Sequence, residues 1–148
     1  IVYIDRVESR GSPIIFTRIG IRQPAYCTAV GQAMLAFLPA GEVDEVLARG
    51  MPARTKNTIT NPRKFRERLA AIRGAGYAVS IGQNREHINA VAAPIFDRKG
   101  RPVAGMVVSG LGQRLTPARL PGIGLLLKQA ADLVSRQMGY QVGERAAE

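Results

Sequence analysis

Residues 90–110 read AVAAPIFDRKGRPVAGMVVSG. Two apolar runs flank Asp97-Arg98-Lys99-Gly100, a polar tetrad ending in glycine, which is turn chemistry. The stretch predicts a strand over 89–96, a turn, and a return strand over 102–109. The runs are apolar almost throughout rather than alternating, which predicts sheet positions covered on both faces. Upstream, residues 77–81 read as another strand and 82–86 as a polar loop.

Working outward, helix signals surround this sheet. Thr60-Asn61-Pro62 combines a capping side chain with proline at the first helical position. The helix it opens carries Phe65, Leu69 and Ile72 on one face and ends at Gly74 and Gly76. Thr28 caps a second helix, predicted to run to about Leu38 and to be closed by Pro39 and Gly41. Residues 42–49 form a short amphipathic helix with Val43, Val46 and Leu47 inward, and 51–58 show no period and read as a loop. Thr116-Pro117 opens the last segment, where Pro121 is expected to delay a regular helix. That helix turns Leu127, Ala130, Ala131, Val134 and Met138 inward and stops at Gly139. At the other end, residues 1–7 read as a strand, 10–13 as a turn and 14–17 as a second strand, a hairpin followed by a loop over 20–23. Two strands, three helices, three strands and a helix make an α+β plan, an antiparallel sheet carrying helices on its faces.

The chain has 148 residues, one domain's worth, and 46% of them are hydrophobic, enough to bury a core. It contains no run long enough to span a bilayer and no signal-peptide pattern. A single cysteine excludes an internal disulfide and suits a reducing compartment, so a cytoplasmic location is expected. The first residue is isoleucine and 1–4 already read as strand, so a piece of a longer protein is expected.

The net charge is +10, from 21 Lys and Arg against 11 Asp and Glu. The basic residues are scattered apart from one patch, Arg63, Lys64, Arg66, Arg68 and Arg73, on the polar side of the helix that follows Asn61. No aromatic residues interleave with them to stack bases. A solvated basic face is favoured over a nucleic-acid surface.

The candidate chemistry lies in residues 24–37, PAYCTAVGQAMLAF. Cys27 stands at a helix N-terminus, where free N–H groups favour a thiolate. A nucleophile also needs a base. The only histidine, His87, lies in another segment, and no carboxylate is placed to orient it. A buried or pocket-lining cysteine is therefore favoured over catalysis, and one Cys with one His is too few for a structural metal site. Neither a catalytic residue nor a metal or cofactor is expected. The amides after Thr28 lack intrahelical partners. Either Thr28 and water satisfy them or an anion does, and the residues alone favour the former.

The residues VYIDRVES, RIGIRQPAYCTAVGQAMLAFLP, the TITNP helix entry with IRGAGYAV, AVAAPIFDRKGRPVAGMVVSG and the final helix ending in MG occur in an order and spacing that resemble one family. It is the C-terminal effector-binding domain of the IclR family of bacterial transcriptional regulators. The resemblance runs from Val2 to Gly139. It implies a GAF-like fold, a central antiparallel sheet with helices on both faces, and a single ligand-sensing domain over 1–148. It further implies a small organic acid as effector, aromatic in some members, and assembly as homodimers or tetramers. DNA is bound only through a winged helix-turn-helix domain that precedes this one and has no match here.

By position, the resemblance places Ala29, Val30 and Gly31 at one pocket wall, their backbone amides holding the effector's carboxylate. Ile15 from the second strand, Ser80, Ile88, Ala90, Val107 and Ser109 form the other walls, with Ser12 a weaker candidate. Val107 and Ser109, two apart, share a face. Plain core is the competing reading for Ile88, Ala90 and Val107. The chain departs from relatives with Lys at Gln32, acidic residues near 80–83 and Gly at His87. The pocket is thus expected to be apolar and short of fixed charge, with Ser80, Ser109 and Asn89 as its polar groups. An oligomerisation domain without a ligand and a thiol-dependent enzyme using Cys27 are the alternatives.

Overall fold

The apolar runs at the centre of the chain form a three-stranded antiparallel sheet in the computed structural model, which describes residues 1–8 and 18–141. Strands β1 (Ala78–Ile81), β2 (Ile88–Phe96) and β3 (Pro102–Leu111) stand in the order β1-β2-β3. Gly100 takes φ +72 in the turn between β2 and β3, a left-handed conformation open to glycine at little cost. Helices α1 (Ala29–Leu35), α2 (Ala40–Ala48) and α3 (Pro62–Ala75) precede the sheet, and α4 (Leu120–Gln137) follows it.

Strand alternation divides the core in two. Ala90 and Ala92 of β2, Ala78 of β1 and Val107 of β3 pack in one cluster with α1, Phe65, Leu69 and Ile72. The odd residues of β2 face the other way: Ala93 and Ile95 meet Leu127 and Ala131 of α4, and Val91 meets Leu115 and Leu120. Helices therefore cover both faces, as the α+β, GAF-like reading expects.

The helix ends follow local chemistry. Asn61 accepts from the Lys64 amide at 3.0 Å, Pro62 opens α3, and Gly76 closes it with φ +80. In α1, Thr28 has extended backbone and its side chain accepts from Gly31 N. That helix stops at Leu35, three residues before the predicted end, and residues 36–38 form turns ahead of Pro39, which disfavours helix at the residue before it. Pro39 is itself the N-cap of α2, so that helix starts two residues before the expected position 42.

Four other expectations are corrected. Pro121 does not delay α4, which starts at Leu120; in a first turn the missing proline N–H is an orphan anyway. Met138 is exposed, because α4 ends at Gln137. β2 is covered on both faces, whereas β3 pairs only with β2 among the described residues and leaves Val103 and Val108 exposed. Residues 1–7 form no continuous strand. Val2 makes an isolated bridge to Arg22, Ile4 and Val7 are exposed, and residues 21–23, expected as a loop, pair with 1–3 through the backbone. The predicted turn at 10–13 and strand at 14–17 lie outside the described residues.

The basic patch on α3 is largely committed within the fold. Arg66 pairs with Asp44 and Arg63 with Glu67. Arg68 donates to the Val79 carbonyl, and Arg73 donates to the Ala36 carbonyl just past α1. Four of the five cations of the patch thus have a partner in their own chain.

Candidate ligand-binding site

A cavity of about 60 Å³ lies between the start of α1 and the α1-facing side of the sheet. Its sheet wall follows from register. Ser80 of β1 stands opposite Ala90 of β2, which stands opposite Ser109 of β3. One row further along, Ala92 pairs with Val107. Ser80, Ala90, Ser109 and Val107 thus share a face, and Ile88 joins them where β2 begins. Ala29 and Val30 form the helix wall.

Seven of the nine positions carried over by resemblance therefore line one cavity: Ala29, Val30, Ser80, Ile88, Ala90, Val107 and Ser109. Gly31 does not. Its amide donates to Thr28 Oγ1 at 3.3 Å, and its Cα packs against the backbone of Ala25. It lies behind the wall, where its small size lets the helix sit close. Ile15 and Ser12 lie outside the described residues. Asn89 is corrected: its odd register turns it to the α4 face, where its side chain donates to Leu115 O at 2.9 Å.

Several lining residues were missed. Tyr3, Ile21 and Gln23 come from the paired N-terminal segments, and Asn84 and Arg85 from the polar loop after β1. The signal for the loop was present but scattered. Thr55 Oγ1 donates to Gly82 O at 2.6 Å and Thr58 Oγ1 to Gln83 O at 2.7 Å, while Arg54 N and Thr55 N both donate to Thr58 Oγ1. The aperiodic segment 51–58 is thus a brace that holds the loop against the cavity. Arg85, exposed, is the one charged residue among the described residues that line the cavity.

Cys27 is a wall residue of the same cavity and is fully buried. Its thiol donates to Asn84 Oδ1 at 3.5 Å, and Asn84 Nδ2 donates to Gln23 Oε1 at 3.4 Å. Burial pushes the thiol above its ordinary range, with Arg54 acting weakly in the opposite sense. The thiol is therefore kept protonated, and its hydrogen-bond partners are Asn84 and the Pro24 carbonyl, with His87 not among them. A nucleophile needs the reverse on both counts. Among the described residues no group of three or more His, Cys, Asp or Glu is placed to hold a metal ion.

Behind Cys27 lies a second polar cluster. Gln32 is fully buried, and its Nε2 donates to Tyr26 O at 2.7 Å and Gln83 Oε1 at 2.6 Å. Tyr26 OH donates to Pro52 O at 2.7 Å. These bonds tie the start of α1 to both loops that frame the cavity.

Comparison with known proteins agrees with this architecture. Residues 1–136 match the family described as bacterial transcriptional regulator IclR C-terminal. The chain is 35% identical over 141 residues to the HTH-type transcriptional regulator KdgR of Escherichia coli, covering 95% of this chain and 54% of that protein. It superposes on the crystal structure of Thermotoga maritima IclR with a TM-score of 0.89 at 41% identity, over 94% of this chain and 57% of the other. It also resembles the inducer-binding domain of the Acinetobacter transcription factor PobR, solved as a double mutant in complex with 3-hydroxybenzoic acid, with a TM-score of 0.76 and 27% identity over 86% of this chain and 74% of that one. The chain spans about half the length of the curated relatives it matches.

Proposed function

The chain belongs to the family of IclR C-terminal domains of bacterial transcriptional regulators, and from that premise we propose that it senses a small organic acid bound in the cavity between α1 and the sheet. The observation that carries this reading is the convergence of Ala29, Val30, Ser80, Ile88, Ala90, Val107 and Ser109, from four separate elements, on one cavity. A mostly apolar wall with a few polar groups is the usual construction of a small-ligand site. The PobR complex, whose ligand is an aromatic acid, supports the class of ligand. Size narrows it. One water occupies roughly 10–15 Å³ of such space, so about 60 Å³ favours an acid of a few heavy atoms.

In this reading the 148 residues are one sensing domain of a cytoplasmic regulator, and DNA is bound by a separate winged helix-turn-helix domain. The ligand acts by favouring one subunit arrangement over another, to the extent of its differential affinity for the two. Assembly as a homodimer or tetramer is supported by α4, which leaves Leu125, Leu126 and Leu133 exposed.

A thermal-shift screen of small aliphatic and aromatic acids tests the sensing role. A ligand at a hundred times its Kd stabilises by about 2.7 kcal/mol, which raises the melting temperature of a chain this size by roughly 5–10 °C. Ala90→Phe, which fills the cavity, removes the shift. A screen in which no acid stabilises the chain, or in which Ala90→Phe responds like the wild type, defeats the reading.

A further inference from the structure

The segments at residues 1–3 and 20–23 stand apart from the sheet. Tyr3 N donates to Ile21 O at 3.3 Å, Gly20 N to Tyr3 O at 2.8 Å and Gln23 N to Ile1 O at 3.0 Å, so the two segments are bonded to each other. Among the described residues neither pairs with a strand of the sheet. The chain becomes fixed at the next residue, because Pro24 O accepts from Thr28 Oγ1. Ile1, opposite Gln23, packs against the first core cluster, whereas Val2, Ile4 and residues 18–20 are exposed. The pair of segments is therefore held at its Ile1–Gln23 end and open to solvent at the other.

This unit covers the cavity. Tyr3, Ile21 and Gln23 line it, and Asn84 Nδ2 donates to Gln23 Oε1 across the mouth at 3.4 Å. The Asn84 bank is the firm one, since Thr55 bonds Gly82 O at 2.6 Å, Thr58 bonds Gln83 O at 2.7 Å and Gln32 bonds Gln83 Oε1 at 2.6 Å. A groove of about 730 Å³ separates residues 1–7 from residues 103–108 of β3. Tyr3, Val30 and Val107 line both spaces, which makes Tyr3 the partition between cavity and groove. Val2 and Ile4 on one bank of the groove and Val103 and Val108 on the other are exposed. Movement of the segment toward β3 thus has room, and it takes apolar surface out of water.

We infer that residues 1–3 and 20–23 form a lid on the cavity: Tyr3 closes it in this structure, the Gln23–Asn84 hydrogen bond holds it closed, and retreat of Tyr3 into the β3 groove opens it. The inference concerns access and holds for any occupant of the cavity, so it stands apart from the sensing reading.

Cys27, fully buried in the cavity wall, reports the opening. The test is the rate of its alkylation by iodoacetamide in the 148-residue chain, measured across urea concentrations below the unfolding transition. Opening a lid exposes little surface, so the wild-type rate should hardly change with urea there. Gln23→Ala removes the tie and spares the Cys27–Asn84 bond. Loss of one hydrogen bond corresponds to a roughly two- to twelvefold faster reaction, with the same weak dependence on urea. Hydrogen exchange at the Gly82 and Ile88 amides, which donate to Ile88 O and Arg85 O, identifies the moving part. Unchanged protection there in Gln23→Ala leaves the lid as the mover, and faster exchange makes it the loop and overturns the inference. A Gln23→Ala rate equal to wild type also overturns it. So does a wild-type rate that climbs along the global unfolding slope from the lowest urea, because Cys27 is then reached only by unfolding.

Discussion

Gly31 lies so close to Ala25 that a Cβ at position 31 would stand 2.3 Å from the Ala25 carbonyl oxygen and 2.4 Å from its Cα. Both obstacles are backbone, fixed by the Thr28 cap that also bonds Pro24 O. A methyl group there cannot be accommodated by a rotamer change. Gly31→Ala is expected to destabilise the chain by about 3 kcal/mol, at the upper end of overpacking substitutions, read from the urea midpoint. A loss under about 0.5 kcal/mol would mean that α1 can slide away from Ala25, and that the helix wall of the cavity is not fixed in place by this contact.

Ser135 performs a different task on the other face. The β2–β3 ladder shifts register between Ile95 and Phe96, and the displaced Phe96 amide donates to Ser135 Oγ at 2.9 Å. Ser135 Oγ in turn donates to Ala131 O at 2.7 Å, and the residue is fully buried. Ser135→Ala removes the hydrogen bond that Ser135 Oγ accepts from the Phe96 amide, for which a loss of about 0.5–1.5 kcal/mol is expected. Ser135→Thr keeps the oxygen and separates lost hydrogen bonding from altered packing. Equal stability of the Ala variant and the wild type would show that water reaches the bulge.

How far the sequence foretold these features depends on whether they are local. Asn61-Pro62, Gly76, Thr28 and the DRKG turn act within a few residues of themselves, and the structure places caps and turns where they were read. Alternation put Val107 and Ser109 on one face, and register then brought Ser80 and Ala90 beside them. Arg85 was not legible as a site residue, because its place depends on Thr55 and Thr58, some 25 to 30 positions earlier in a segment without periodicity. Asn89 was misplaced for want of a register: one residue of offset moves a strand side chain to the opposite face. Gly31 matched the family pattern as a wall residue, yet only the backbone geometry reveals that its role is close approach to Ala25. The apolar run of β3 misled in another way, since a strand that leaves Val103 and Val108 exposed can carry the same composition as a covered one.

Gln32 is the largest polar side chain buried in the first core cluster's helix, and its amide is only half satisfied. Nε2 has two acceptors, whereas Oε1 has no donor among the described residues. Gln32→Ala removes packing volume and leaves Tyr26 O and Gln83 Oε1 without their donor, so a loss of about 3 kcal/mol is expected. Gln32→Met retains the volume and removes the orphan acceptor, so it should lose at least about 1 kcal/mol less. Urea unfolding of the two variants beside wild type decides the matter. If Met were as damaging as Ala, the two hydrogen bonds rather than packing would dominate the site.

Cys27 gives a pH dependence of defined sign. Its folded pKa is raised by burial, whereas an unfolded thiol titrates near roughly 8.5. For a group whose pKa rises on folding, the unfolded state loses its proton first. The stabilisation is therefore complete below about 8.5 and is lost as pH rises toward and through the folded value. The stability difference between wild type and Cys27→Ala should be constant from pH 6 to 8 and shrink from pH 9 to 10. Tyr3 and Tyr26 are raised chiefly by burial and in smaller part by Cys27 itself, so the comparison is read below about pH 10, before the phenols titrate. Alkylation by iodoacetamide supplies a kinetic check. At pH 8 the native thiol should react at least tenfold more slowly than a free cysteine, since it is both buried and protonated. A native rate equal to that of the free thiol, together with a difference that widens with pH, would mean that Cys27 is an activated thiolate and would reopen a chemical role for it.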